Sequence, residues 1–129
     1  MRMASKKKFQ MEFSVRSSVK ILYSTISTPS GLSEWFANDV NIRGKVYTFF
    51  WDDSEQQAEL ITKKNNQYVK FRWLDEPADT FFELRIVVDD LTNDVSLIVS
   101  DFAEDEEEEE ESKLLWDSQI HSMMQSIGS

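Results

Sequence analysis

Cysteine is absent from the 129 residues, proline occurs twice, glycine three times and histidine once. Without cysteine there is no disulfide, no thiolate nucleophile and no cysteine metal site, a loss that a reducing compartment tolerates and many small secreted scaffolds would not. Three glycines leave no glycine-rich phosphate loop. Apolar runs extend only a few residues, and the basic cluster Lys6-Lys7-Lys8 has no apolar segment behind it. Neither a membrane span nor a signal peptide is predicted, and a cytoplasmic location is expected.

Charge of one sign is plentiful only in one place. The formal net charge is -10, with 24 acids against 14 bases. Eight of the acids are consecutive, at 104–111, so the rest of the chain is nearly neutral. Nucleic-acid binding needs a basic stripe that displaces counterions, and no such stripe is present, so that class is excluded. At this length, with 40% hydrophobic and 12% aromatic residues, one globular domain spanning 1–129 is expected. Residues 1–8 are expected to be a flexible, solvated terminus, and 104–111 an acidic segment leading into the last helix.

Phe9, Met11, Phe13 and Val15 alternate with polar residues at the period of a half-buried strand. Ser17 or Ser18 caps the next segment, in which Val19, Leu22, Tyr23 and Ile26 fall on one face of a helix of about two turns. Thr28 then caps a second short helix with Pro29 at its first position, where a missing N–H costs nothing, and Leu32, Trp35 and Phe36 are its apolar side. From Val40 to Phe102 the pattern is a run of strands separated by turn signals at 43–45, 52–56, 64–67, 75–79 and 89–94. Connections this short join antiparallel neighbours, giving a meander of six further strands.

Matching apolar residues across neighbouring strands pairs Trp51 with Ala58, Phe49 with Leu60 and Tyr47 with Thr62. The same rule pairs Leu60 with Phe71, Ala58 with Trp73, Phe71 with Leu84, Trp73 with Phe82, Ile86 with Leu97 and Leu84 with Val99. It places Glu59, Lys70, Arg72, Glu83 and Arg85 on the opposite face, Arg72 beside Glu83. The apolar face needs a cover. Trp116, Ile120, Met123 and Ile127, widened by Leu115 and Met124, supply it as one stripe of a C-terminal helix of four or more turns.

The order strand, two short helices, six-stranded meander and long helix resembles the α+β helix-grip fold of the START-like superfamily. That superfamily includes birch-pollen-allergen-like proteins, polyketide cyclases and heat-shock-chaperone ATPase activators. The segment Ser27-Thr-Pro-Ser-Gly-Leu-Ser-Glu-Trp-Phe36, the strand Tyr47 to Trp51, Phe71-Arg-Trp73 and Phe82-Glu-Leu84 look like the activator-like branch. The resemblance implies a space between sheet and long helix, which many members use for lipids or other apolar ligands.

On that basis a non-enzymatic module is expected, binding a hydrophobic small molecule or lipid between sheet and helix, its cavity lined by Trp51, Phe71, Trp73, Trp116, Ile120 and Met123. An ordinary packed core accounts for the same stripe. The alternative function is a protein-interaction module resembling the chaperone ATPase activators, which would use the charged face or the acidic run. An enzyme of the cyclase type stands third. His121 is a lone imidazole with no visible partner, so no catalytic residue, metal site or cofactor is expected. Asp101 and Thr62 fall on the inward parity, where each is either a polar anchor for a ligand head group or a strand-end residue reaching water.

Overall fold

The computed structural model describes residues 6–128. The first five residues, part of the stretch expected to be flexible, lie outside the described residues. Strand β1 covers Lys7–Val15, α1 Val19–Ser27 and α2 Pro29–Leu32. Then come β2 Asp39–Arg43, β3 Val46–Trp51, β4 Ser54–Lys64, β5 Tyr68–Trp73, β6 Phe82–Val88, β7 Val95–Ala103 and α3 Glu106–Ser126. The strands form one antiparallel sheet in the order β1-β7-β6-β5-β4-β3-β2, so the meander closes when the first strand pairs with the last. This is the α+β helix-grip architecture. Its core lies between the apolar face of the sheet and α3.

The local chemistry explains most boundaries. Ser18 caps α1 by accepting from the Ile21 N–H, and Thr28 caps α2 by accepting from the Gly31 N–H. Gly31 sits where α2 presses on α1: a Cβ there would lie 2.3 Å from the Ser24 carbonyl oxygen. Leu22 and Ile26, on one stripe of α1, are fully buried against the sheet. Gly44 takes φ +63° in the tight β2–β3 turn, which an L side chain rarely adopts. At α3, Asp105 is the N-cap, accepting from the Glu108 N–H, and four glutamates fill the first turn, where negative charge opposes the positive end of the helix dipole.

Several expectations are corrected. β1 begins at Lys7, and Lys6 is bonded to Glu76 and lies 3.6 Å from Glu108, so 6–8 are built into the fold. The two carboxylates outweigh the cost of its burial and hold the Lys6 ammonium above its ordinary pKa, the Glu76 hydrogen bond contributing most. Most of the acidic run is the first part of α3 itself, folded as helix from Glu106. The second helix stops at Leu32, leaving Trp35 and Phe36 on the turns after it.

Strand pairing agrees with the apolar matching at Ala58 with Trp73, Leu60 with Phe71, Ile86 with Leu97 and Leu84 with Val99. Between β3 and β4 the turn is tighter than expected, Trp51 facing Ser54, so Tyr47 lies opposite Ala58 and Phe49 opposite Gln56. Between β5 and β6, Phe71 faces Phe82 and not Leu84. That shift puts Lys70 opposite Glu83, while Arg72 lies 3.5 Å from Glu59 and Arg85 3.1 Å from Glu83. Both differences are even shifts, which keep every residue on its face, although Phe49 and Trp51 now lie opposite Gln56 and Ser54 in place of Leu60 and Ala58. The irregularity between Leu60 and Thr62 is different: one extra residue inverts the alternation, and Thr62 lands opposite Lys70 on the charged face, exposed. Thr62 is therefore no inward anchor.

Candidate functional site

The interior is organised around Phe36. Its ring lies nearly parallel to Trp73, Phe82 and Trp116, with interplanar angles of 16°, 27° and 25° and centroids 6.2, 5.8 and 5.9 Å away. Phe49, Trp51 and Trp35 meet it edge-on at 5.0, 6.0 and 5.3 Å. Offset stacked and edge-to-face pairs are the favoured arrangements of aromatic quadrupoles. The alternation of β3, β5 and β6 brings Phe49, Trp51, Trp73 and Phe82 to one face, and the α3 stripe brings Trp116 down onto them.

Three ring donors fix this end. Trp51 Nε1 donates to the Phe36 carbonyl at 3.0 Å, Trp35 Nε1 to the Thr25 carbonyl at 3.0 Å, and the Tyr47 hydroxyl to the Ser27 carbonyl at 3.2 Å. Each satisfies a carbonyl in the last turn of a short helix or just beyond it with the polar tip of a buried or partly buried ring. Burial, with a smaller contribution from Tyr23, pushes the Tyr47 phenol above its ordinary value.

The six residues expected to line a cavity all join this core, at different depths. Phe71, Ile120 and Met123 have no exposed surface, and Trp116 is buried. Trp51 and Trp73 are partly buried at its margin. Trp51 also forms one wall of a surface groove of about 470 Å³, with Phe36, Ala37, Leu115 and Gln119 around it and Ser33, Glu34 and Asn38 at the rim. Leu115 stands 60% exposed on the α3 side of this groove. Of the groove's residues the sequence-based site held only Trp51, and Phe36 and Leu115 are the large apolar ones among those it omitted beside Trp35. Phe36 was visible as the end of the Trp-Phe motif, but nothing in the pattern shows that a turn residue becomes the centre of the core.

Asp101 does point inward, as the alternation of β7 requires. Its Oδ2 accepts from Trp116 Nε1 at 2.8 Å and its Oδ1 from the Phe102 N–H at 2.7 Å. Burial is the dominant influence and raises its pKa, while the Trp116 and Phe102 hydrogen bonds, Lys6 and Ser112 pull the other way. Asp101 thus anchors α3 to the sheet through Trp116. His121 is exposed on α3, its Nδ1 2.7 Å from the Asp117 carbonyl oxygen and 3.4 Å from the Asp117 carboxylate. Among the described residues no group of three or more His, Asp or Glu is placed to hold a metal ion, and no helix is long and apolar enough to cross a membrane.

The family model of the START-like superfamily domain matches residues 3–129. The chain belongs to the START-like superfamily. Among solved structures it is similar to a Bacteroides fragilis protein determined by solution NMR, at 34% identity over 94% of this chain and 90% of that one, with a TM-score of 0.68. The Aha1 dimer of Colwellia psychrerythraea has a TM-score of 0.79 at 14% identity, covering 94% of this chain and 96% of that one. DynU16, from the dynemicin biosynthetic locus, has a TM-score of 0.79 at 15% identity, covering 95% of this chain and 47% of that one. The last two share the fold alone. No curated protein matches the chain in sequence.

Proposed function

We propose that this START-like domain is a non-enzymatic binding module for a small apolar molecule or lipid, taken up where the groove beside Trp51 opens onto the aromatic interior. The observation that carries the reading is the meeting of Trp51, Phe36, Ala37 and an exposed Leu115 on the lip of that groove. Flat rings and an aliphatic side chain form its apolar surface, and Ser33, Asn38 and Gln119 offer hydrogen bonds to a polar end of the ligand. Burial of apolar surface drives binding at about 25 cal/mol per Å² before the costs of association are subtracted. Catalysis is left out because Asp101 is committed to Trp116 and Phe102, while His121 faces solvent.

Native mass spectrometry of gently purified protein, with thermal shifts against a panel of fatty acids, sterols and naphthalene derivatives, tests the reading. Binding should quench or shift tryptophan emission and weaken in Leu115→Asp, a change at an exposed position that leaves the core intact. If no member of the panel raises the melting temperature or alters emission, the reading fails.

A further inference from the structure

On the other flank of α3 the structure holds a second groove, independent of the one beside Trp51. Among the described residues β1 pairs only with β7, and all nine residues of β1 do so in unbroken register, without bulge or proline. The other side of β1 therefore presents unpaired backbone N–H and C=O groups along about 30 Å of strand. Beside it runs a groove of about 390 Å³ between Met11 of β1 and Glu110, Lys113, Leu114 and Asp117 of α3. Leu114 is 73% exposed, a large apolar side chain left beside an open strand edge. Lys113 also lines the groove, its Nζ 5.8 Å from the Phe9 ring centroid, and pairs with Glu109 at 2.9 Å; that pairing leaves Glu110 and Asp117 as the groove's carboxylates, Asp117 beside His121.

We infer that this groove is a docking site for an extended, basic segment of a partner protein, which adds as a further strand to β1. A strand laid along β1 would be held by main-chain hydrogen bonds, and alternate side chains would drop beneath α3 onto Met11 and Leu114. Apolar residues suit those positions. Lysine or arginine suits the positions near Glu110 and Asp117, and the outward position opposite Glu12. The chain's charge of -10 attracts such a segment and repels a second copy, which would bring Glu110 and Asp117 of both molecules together.

The probe is a labelled, terminally blocked peptide of alternating lysine and valine, monitored by fluorescence anisotropy with the full chain. Its controls are the same peptide with glutamate for lysine, one N-methylated along a single edge, and a helix-forming peptide of equal charge. The lysine–valine peptide should bind, lose binding on N-methylation, and slow hydrogen exchange of the β1 amides. Affinity should fall about tenfold in Leu114→Asp and several-fold in Glu110→Lys, and should drop with salt as screening predicts. Circular dichroism establishes that both variants fold, and Leu114→Gln repeats the test without added charge. Four results overturn the inference: no binding at millimolar peptide, equal binding of the glutamate or N-methylated peptide, preference for the helical peptide, or sedimentation showing β1 occupied by a second copy.

Discussion

Phe36→Ala removes the ring that Trp73, Phe82 and Trp116 clasp face-on and that Phe49, Trp51 and Trp35 meet edge-on. The side chain is 5% exposed, so nearly all of its transfer free energy is at stake, about 1.5–3 kcal/mol. Flanking tryptophans on β3, β5 and α3 are held by their own backbones, and Trp51 and Trp116 also by their bonds to the Phe36 carbonyl and the Asp101 carboxylate, so the site collapses only in part. A cavity then remains, and the total loss should be about 3–5 kcal/mol. For a domain of this size that is roughly 10–25 °C in melting temperature. Urea unfolding monitored by tryptophan emission measures it directly, with a lower midpoint and unchanged slope. Indole at tenfold its dissociation constant should return about 1.4 kcal/mol by filling the vacated slot. A loss below about 1 kcal/mol with no response to indole would refute the reasoning, because it would mean that the ring is not packed as the centre of the core.

Three further outcomes are expected. Asp101→Asn keeps an acceptor for Trp116 but removes the buried charge. Because the folded-state pKa of Asp101 is raised, its contribution to stability is present below the unfolded value of 3.8 and is lost as pH rises through the folded value. The variant should therefore gain on the wild type between pH 4 and 7 and match it best near pH 3; parallel melting temperatures across that range would contradict the assignment. Gly31→Ala should cost about 1–3 kcal/mol or more, since its Cβ would meet the Ser24 oxygen at 2.3 Å and the Thr25 Cα at 2.6 Å, and a neutral result would show that α2 does not press on α1. Ser18→Ala should cost about 1 kcal/mol through loss of the Ile21 cap, and Ser18→Asp should restore most of it; equal destabilisation by both would remove the cap from the account.

The sequence by itself determined the element order, the cap at Thr28, a cap at Ser17 or Ser18, the apolar face of the sheet and the identity of its cover, because each depends on chemistry within a few residues or on periodicity. Phe49, Phe71, Phe82 and Leu84 lie inward whatever the pairing, since a period of two survives every even shift. The β4–β5 and β6–β7 facings were legible too, but only the tertiary structure decided which residues face each other between β3 and β4 and between β5 and β6. The tight turn before Ser54 set the β3–β4 register, and the irregularity after Leu60 carried Thr62 to the charged face. The same limit governs the candidate site. Trp51, Phe71, Trp73, Trp116, Ile120 and Met123 were all legible as inward-facing, yet not which of them meet: Phe36, whose spacing read as the apolar side of a short helix, is delivered by a turn into contact with Trp51, Trp73 and Trp116. Periodicity is a one-dimensional signal that assigns faces; the filling of volume depends on where turns deliver distant rings, and that is settled only when the sheet, the two short helices and α3 close on one another.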